Sequence, residues 1–269
     1  MQNKIKGKDM FQRLITCIAL FSLAAIAQAD NHNNAWRGVN LDQQFGIQFE
    51  VCKLKPGKTL DDMAKLNDEV RRLFDETGLA LSLMRLTPMY SHGMPGEPAA
   101  SYIDVTMGTI EAFGTGWDNW LASKDAVKLM AASDKIATCT FKFARAINRV
   151  AQIEALDSTD DRLISMNWCS KRDNVSWDQL KTKHDAWQAA YENDSSSMAW
   201  NVVLPRLGAG NAHGRFMHMV SYANAQQLMA NENWVANGGG ARALGDYYSA
   251  YAACDGESVW SASYLYKNE

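Results

Sequence analysis

The sequence predicts an α+β fold: two βαββαβ units, each an antiparallel four-stranded sheet with its helices on one face. Three observations carry this. Four cysteines repeat over one interval, Cys52 and Cys139 lying 87 positions apart and Cys169 and Cys254 lying 85 apart. Other landmarks recur at a shared offset: Cys52 to Cys169 and Pro88 to Pro205 are each 117 positions, and Trp120 to Trp234 is 114. A helical stripe of Trp177, Leu180, His184, Trp187 and Tyr191, moved back by 117, falls on Leu60, Met63, Asn67, Val70 and Phe74. A polar residue then occupies the same slot in both stripes.

The elements follow in order. Residues 1–29 read as an export signal, with Lys4, Lys6, Lys8 and Arg13 ahead of an apolar run from Leu14 to Ala27 and a small-x-small cleavage site at Ala27-Gln28-Ala29. The run is shorter than the roughly 20 residues a spanning helix needs. Cleavage would leave no membrane span; an uncleaved anchor is the alternative. Residues 30–44 are polar and Asn-rich, a flexible lead-in.

The first unit covers residues 45–150. Phe45, Ile47, Phe49 and Val51 alternate with Gly46, Gln48, Glu50 and Cys52, the period of a strand with two unlike faces. Lys55-Pro56-Gly57-Lys58 is a turn, Thr59 an N-cap, and Gly78 the helix stop. A second strand, Leu81 to Thr87, ends at Pro88. A Gly/Pro-rich hairpin loop leads to a third strand at Ser101 to Met107, then a helix around Trp117 to Ala132 and a strand from Cys139 to Ile147.

Residues 151–161 link to the second unit, 162–269. There Leu163 to Cys169 is a strand, and Ser176 with Gln179 forms a capping box. Ala199 to Leu204 and Arg215 to Ser221 are strands. A helix from Gln226 breaks near Gly238-Gly239-Gly240, and Val259 to Tyr266 is the last strand.

Composition narrows the function classes. The chain has a net charge of −3, and removing the signal's excess of positive charge makes it more acidic. There is no basic stripe, which disfavours a nucleic-acid partner. Cys17 lies in the signal, leaving an even four cysteines bound for a periplasmic or secreted, oxidising space. In a βαββαβ sheet the first and last strands are neighbours, so bridges Cys52–Cys139 and Cys169–Cys254 are expected within each unit; four buried thiols are the alternative. No nucleophile elbow, Walker loop, dinucleotide fingerprint or zinc pattern occurs.

Helices on one face leave the other face of each sheet bare, and two bare faces can bury one another. Here the chain resembles the dimeric α+β barrel superfamily in a fused tandem form, each half ferredoxin-like. Phe49-Glu50-Val51-Cys52 with Thr59, Pro88 and Trp120 carry the likeness, with Met166-Asn167-Trp168-Cys169, Ser176, Pro205 and Trp234. The resemblance implies two sheets packed face to face over residues 45–269. Its relatives include cofactor-free monooxygenases and haem-degrading or haem-binding proteins.

If the helices cover the Ile47/Phe49/Val51 face, the polar face points into the barrel. Glu50, Arg85, Tyr102, Asp104, Asn167 and His218 are then the cavity candidates, able to bind a polar small molecule or move a proton; a buried ion-pair network is the alternative. His92 and His213 each precede a glycine and could ligate a metal or haem at the barrel mouth, or stand as plain loop residues. His184 is expected to pack on the sheet with a hydrogen bond. The reading that follows is an exported protein that binds a small molecule without a cofactor. The alternatives are a cofactor-independent or haem-using monooxygenase-like enzyme, and a structural or interaction module of the cell envelope. Sheet edges would permit further oligomerisation.

Overall fold

The computed structural model describes residues 34–268, apart from 92, 95–96, 99, 192–195 and 211–213. The expected signal, and the loop histidines His92 and His213, lie outside the described residues. Eight strands close into one antiparallel barrel. In chain order they are β1 (Phe45–Leu54), β2 (Ser82–Tyr90), β3 (Tyr102–Gly108), β4 (Ala137–Ala151), β5 (Asp161–Lys171), β6 (Ala199–Pro205), β7 (Arg215–Tyr222) and β8 (Ala252–Tyr266). Around the barrel their order is β6-β7-β5-β8-β2-β3-β1-β4, with β4 returning to β6.

This order corrects the expectation of two sheets stacked face to face. The long strands β4 and β8 each run past their own neighbours and pair with a strand of the other half, β4 with β6 and β8 with β2. Closure is therefore made by backbone hydrogen bonds along two seams, which leaves the barrel no open edge.

Alternation decides what fills the barrel. Ile47 and Phe49 of β1 meet Leu86, Val105, Ala146, Ile164, Val203, Met217 and Trp260 in one buried cluster supplied by all eight strands. The space left among these residues at one end is about 40 Å³. The interior is a packed core rather than a polar lumen.

The helices lie outside. Thr59 caps α1 (Leu60–Ala64) reciprocally with Asp62, and α2 (Asn67–Thr77) ends on Gly78 in the left-handed conformation. The single helix expected here is thus two. The next is also two: α3 (Ile110–Ala122), capped by Thr109, and α4 (Lys124–Ser133), capped by Ser123. Phe113 of α3 presses on Gly46, where a Cβ would stand 2.6 Å from the ring, so a side chain at 46 would lift the helix off β1. The linker holds a short helix, α5 (Ile153–Asp157).

In the second half Ser176 and Gln179 make the expected reciprocal cap of α6 (Trp177–Tyr191). The break between α7 (Ala225–Asn237) and α8 (Gly240–Ala250) falls at Gly239, whose φ of 92° favours glycine. The lead-in is not featureless. Ala35–Trp36 pairs with Val39–Asn40, and Val39 and Leu41 are buried against the barrel core.

Both expected disulfides are present. Cys52 and Cys139 are register partners of β1 and β4, and Cys169 and Cys254 of β5 and β8. Cys254 is already inside its strand, ahead of a register shift that ends at Glu257.

Candidate functional site

The polar residues singled out in the sequence do come together, but on the other side of the sheet. Since odd positions of β1 fill the barrel, Gln48, Glu50 and Cys52 point outward beneath the helices. The same holds for Arg85, Tyr102 and Asp104, and for Asn167 and His218. The reading of these six as facing the barrel interior is therefore corrected by one step of strand parity. A closed barrel interior has no solvent to offer, so the more apolar face of every strand turns inward and the polar face becomes the floor of the helix layer.

Register explains how the first group assembles. Phe141, Glu50, Asp104 and Arg85 form one cross-strand row over β4, β1, β3 and β2. Arg85 grips Asp104 with two bonds, Nε to Oδ1 at 2.8 Å and Nη2 to Oδ2 at 2.7 Å, and its Nη1 donates to Asn67 Oδ1 of α2 at 3.1 Å. Burial pushes the Asp104 carboxyl up, and the guanidinium pulls it down. Tyr102 is fully buried under the Arg85 guanidinium, 5.0 Å from ring centre to Cζ, with its hydroxyl 3.8 Å from Cys139 Sγ. It braces the row and does not line the cavity above it.

That cavity is about 170 Å³ and lies between this row and helices α1–α4. Its floor holds Gln48, Glu50, Arg85, Asp104 and Thr106, and its walls are aromatic and aliphatic, with Phe74, Trp117 and Trp120 prominent. Trp117 Nε1 donates to Gln48 Oε1 at 3.0 Å, which fixes both. The half-buried Glu50 carboxyl has neither a hydrogen bond nor an ion pair among the described residues. Burial, then the neighbouring Asp104 charge, raise its pKa to about 7, against the pull of Arg85. Glu50 also lies near both sulfurs of Cys52 and Cys139. Those sulfurs are bonded to each other, so the trio offers no thiolate to a metal.

The second group sits at the corresponding place in the other half. Glu257, Asn167, His218 and Val202 form a row over β8, β5, β7 and β6. Above it, under α6–α8, lies a cavity of about 100 Å³. Trp200 Nε1 donates to His218 Nδ1 at 3.1 Å, so Nε2 carries the proton of the neutral ring. Nε2 donates to Tyr247 Oη at 3.1 Å, and that hydroxyl donates to His184 Nε2 at 2.9 Å. Burial holds both imidazoles neutral, His218 down to about 4 and His184 down to about 2. His184 thus packs on the sheet and hydrogen-bonds as expected. Asn67 in the first half and His184 in the second are the two polar slots of the helical stripes, and each reaches its own sheet's polar row.

Tyr247, Tyr248, Trp200 and Glu257 were not legible as site residues. The tyrosines follow a glycine break that hides the helical period. Glu257 enters the row only because the shift after Cys254 re-aims the strand. Gln48, which the sequence places on the polar face of β1, could have pointed to Trp117, one helix turn before Trp120.

No family model and no curated protein matches this chain. Solved structures do. A Fusobacterium nucleatum protein described as a monooxygenase aligns over 84% of this chain and 94% of its own, at 9% identity and a TM-score of 0.51. An anthrone oxidase-like protein aligns over 85% and 96%, at 11% identity and a TM-score of 0.51. A dye-decolorizing peroxidase from Bacteroides thetaiotaomicron covers 83% and 94%, at 9% identity and a TM-score of 0.48. At such identities the two likenesses with a TM-score of 0.51 show a shared α+β barrel fold and nothing of activity.

Proposed function

We propose that this is an exported protein that binds a small, largely apolar molecule with one polar head group in the cavity above Glu50. The observation that carries the reading is the Glu50 carboxyl, standing without a partner on the floor of an otherwise aromatic pocket. A carboxyl in that setting supplies a hydrogen bond that a ligand with a donor can complete. The cavity volume is close to that of an engineered cavity of about 150 Å³ that takes up benzene, so a single ring is the appropriate size. A phenol satisfies both halves of the site, its ring against Trp117, Trp120 and Phe74 and its hydroxyl donating to Glu50. Export is supported by the signal-like start and the two disulfides. No helix among the described residues is long and apolar enough to cross a membrane. The matched strand orders and polar rows support an origin by duplication, with units at 45–150 and 162–269 joined by 151–161.

A second reading is favoured by Glu50 being poised near neutrality. As a base it would take the hydroxyl proton of a bound hydroquinone, and dioxygen would accept the electrons, giving quinone and hydrogen peroxide. Haem, left open by the resemblance, does not fit the described imidazoles. His218 has both ring nitrogens bonded, and His184 is 2% exposed with Nε2 held by Tyr247.

Titration calorimetry with phenol and toluene tests the site. Phenol should bind the wild type more tightly than toluene does, and Glu50→Leu should abolish that preference while keeping toluene binding. If neither probe binds, the pocket reading fails and the structural-module alternative gains. Oxygen uptake with hydroquinone, lost in Glu50→Gln, would promote the binding protein to an enzyme.

A further inference from the structure

The smaller cavity of the second half has a different chemistry, and nothing in the phenol reading uses it. Its walls include Trp187, Trp200, Trp234, Tyr247 and Tyr248. Its polar edge carries two acceptors, Asn167 and Glu257, beside the hydroxyls of Ser165, Ser197 and Tyr248. Asn167 is 5% exposed and lines the cavity, and its Oδ1 is buried with no hydrogen-bond partner. Its Nδ2 is already spent on Tyr248 Oη at 3.5 Å. Directly across the strand pair stands Glu257, exposed at the rim, which accepts from Ser165 Oγ and has no ion pair among the described residues.

The charges around this edge decide what can complete it. Both histidines of the layer are neutral. Arg149 is paired at 2.6 Å with Asp185, an acid that Lys181 shares at 2.7 Å, and neither cation lines the cavity. Glu257, its carboxyl pushed up by burial and drawn down by the Ser165 hydroxyl, is the one charged residue that lines the cavity among the described residues. An orphaned buried acceptor calls for a donor, an unpaired carboxylate calls for a positive charge, and aromatic walls favour cations over anions. The aromatic cluster already attracts one cation of the chain itself, since Lys183 Nζ lies 5.6 Å from the ring centres of both Trp187 and Tyr251.

We infer that this cavity is a second site, specific for a small primary alkylammonium whose N–H groups bond Asn167 Oδ1 and the Glu257 carboxylate. At about 100 Å³ it admits a chain of a few carbons and excludes larger amines. Trp234, 38% exposed, stands at the entrance.

Ligand-observed NMR on the whole protein tests this with propylammonium chloride and its neutral counterpart propan-1-ol, at matched ionic strength. Propylammonium should saturate, and bind roughly tenfold or more tightly than propan-1-ol, the weight of one hydrogen bond between charged groups. Glu257→Gln should weaken propylammonium by a similar factor and leave propan-1-ol unchanged, whereas Asn167→Leu, which removes an acceptor that both probes can use, should weaken both. Glu257 is at the surface, so its variant reports binding even if Asn167→Leu fails to fold. Equal affinity for the two probes, no saturable propylammonium binding, or undiminished binding in Glu257→Gln would each overturn the proposal.

Discussion

The fold raises the proton affinity of Glu50, and that has a measurable consequence. Its pKa rises from 4.5 to about 7 on folding. Between those values the folded chain binds more protons at this site than the unfolded chain. Stability therefore falls as pH climbs from about 4.5 to 7 and is level above that. The loss is roughly 3 kcal/mol for a shift of this size. Glu50→Gln, which keeps the shape without the charge, should remove this slope and be the more stable protein at pH 8. Urea denaturation at pH 5 and pH 8 checks it, and a wild-type slope unchanged in the variant would refute it. His184 and His218 act in the opposite sense. Buried neutral, they favour folding above pH 6.5 and withdraw that support as pH falls toward 4. The Glu50 slope is thus best read as the difference between wild type and variant, in which the histidine contribution cancels.

At the scale of the element, each disulfide joins the end of a half's first strand to the start of its last. That placement was legible in the sequence because the cysteine spacing and the strand order constrain each other. Cys52 ends an alternating run and Cys139 opens another, and the topology makes those strands neighbours. The parity of the strands was legible too, in the contrast of Ile47 and Phe49 with Gln48 and Glu50. Which face turns inward was not. The helix-covered face also carries apolar residues, such as Leu81, Leu83 and Phe143, so composition alone does not distinguish a packed barrel from a packed helix layer. The polar row was misplaced because a cavity floor and a lumen demand the same residues. The bridges close loops of nearly ninety residues, for which chain entropy assigns roughly 4–5 kcal/mol each. Replacing Cys52 and Cys139 by alanine together should lower the unfolding free energy by up to that amount, as measured by guanidinium denaturation. A change below about 1 kcal/mol would mean that the unfolded chain is already constrained or that the bridge is strained.

For the whole molecule, the two seams matter more than either half. The residues that fill the barrel come from both halves, Leu86 and Val105 from one and Ile164 and Val203 from the other. A half standing alone would expose that entire apolar face and two strand edges, β2 and the far side of β4, that the intact chain pairs. Its disulfide and helices would survive, but the surface left bare is what a second copy could cover. Residues 34–151 expressed alone in an oxidising compartment should therefore not persist as a folded monomer. They should pair with themselves into an eight-stranded barrel, or aggregate along the bare edges. The intact chain, with both seams made, should unfold in one cooperative transition. Sedimentation equilibrium on the fragment and coincident fluorescence and circular dichroism curves on the intact chain decide it. A well-folded monomeric fragment, or two separated transitions in the full protein, would show that each half carries a sufficient core of its own beneath the helices. The barrel would then be an interface between finished domains rather than the centre of one.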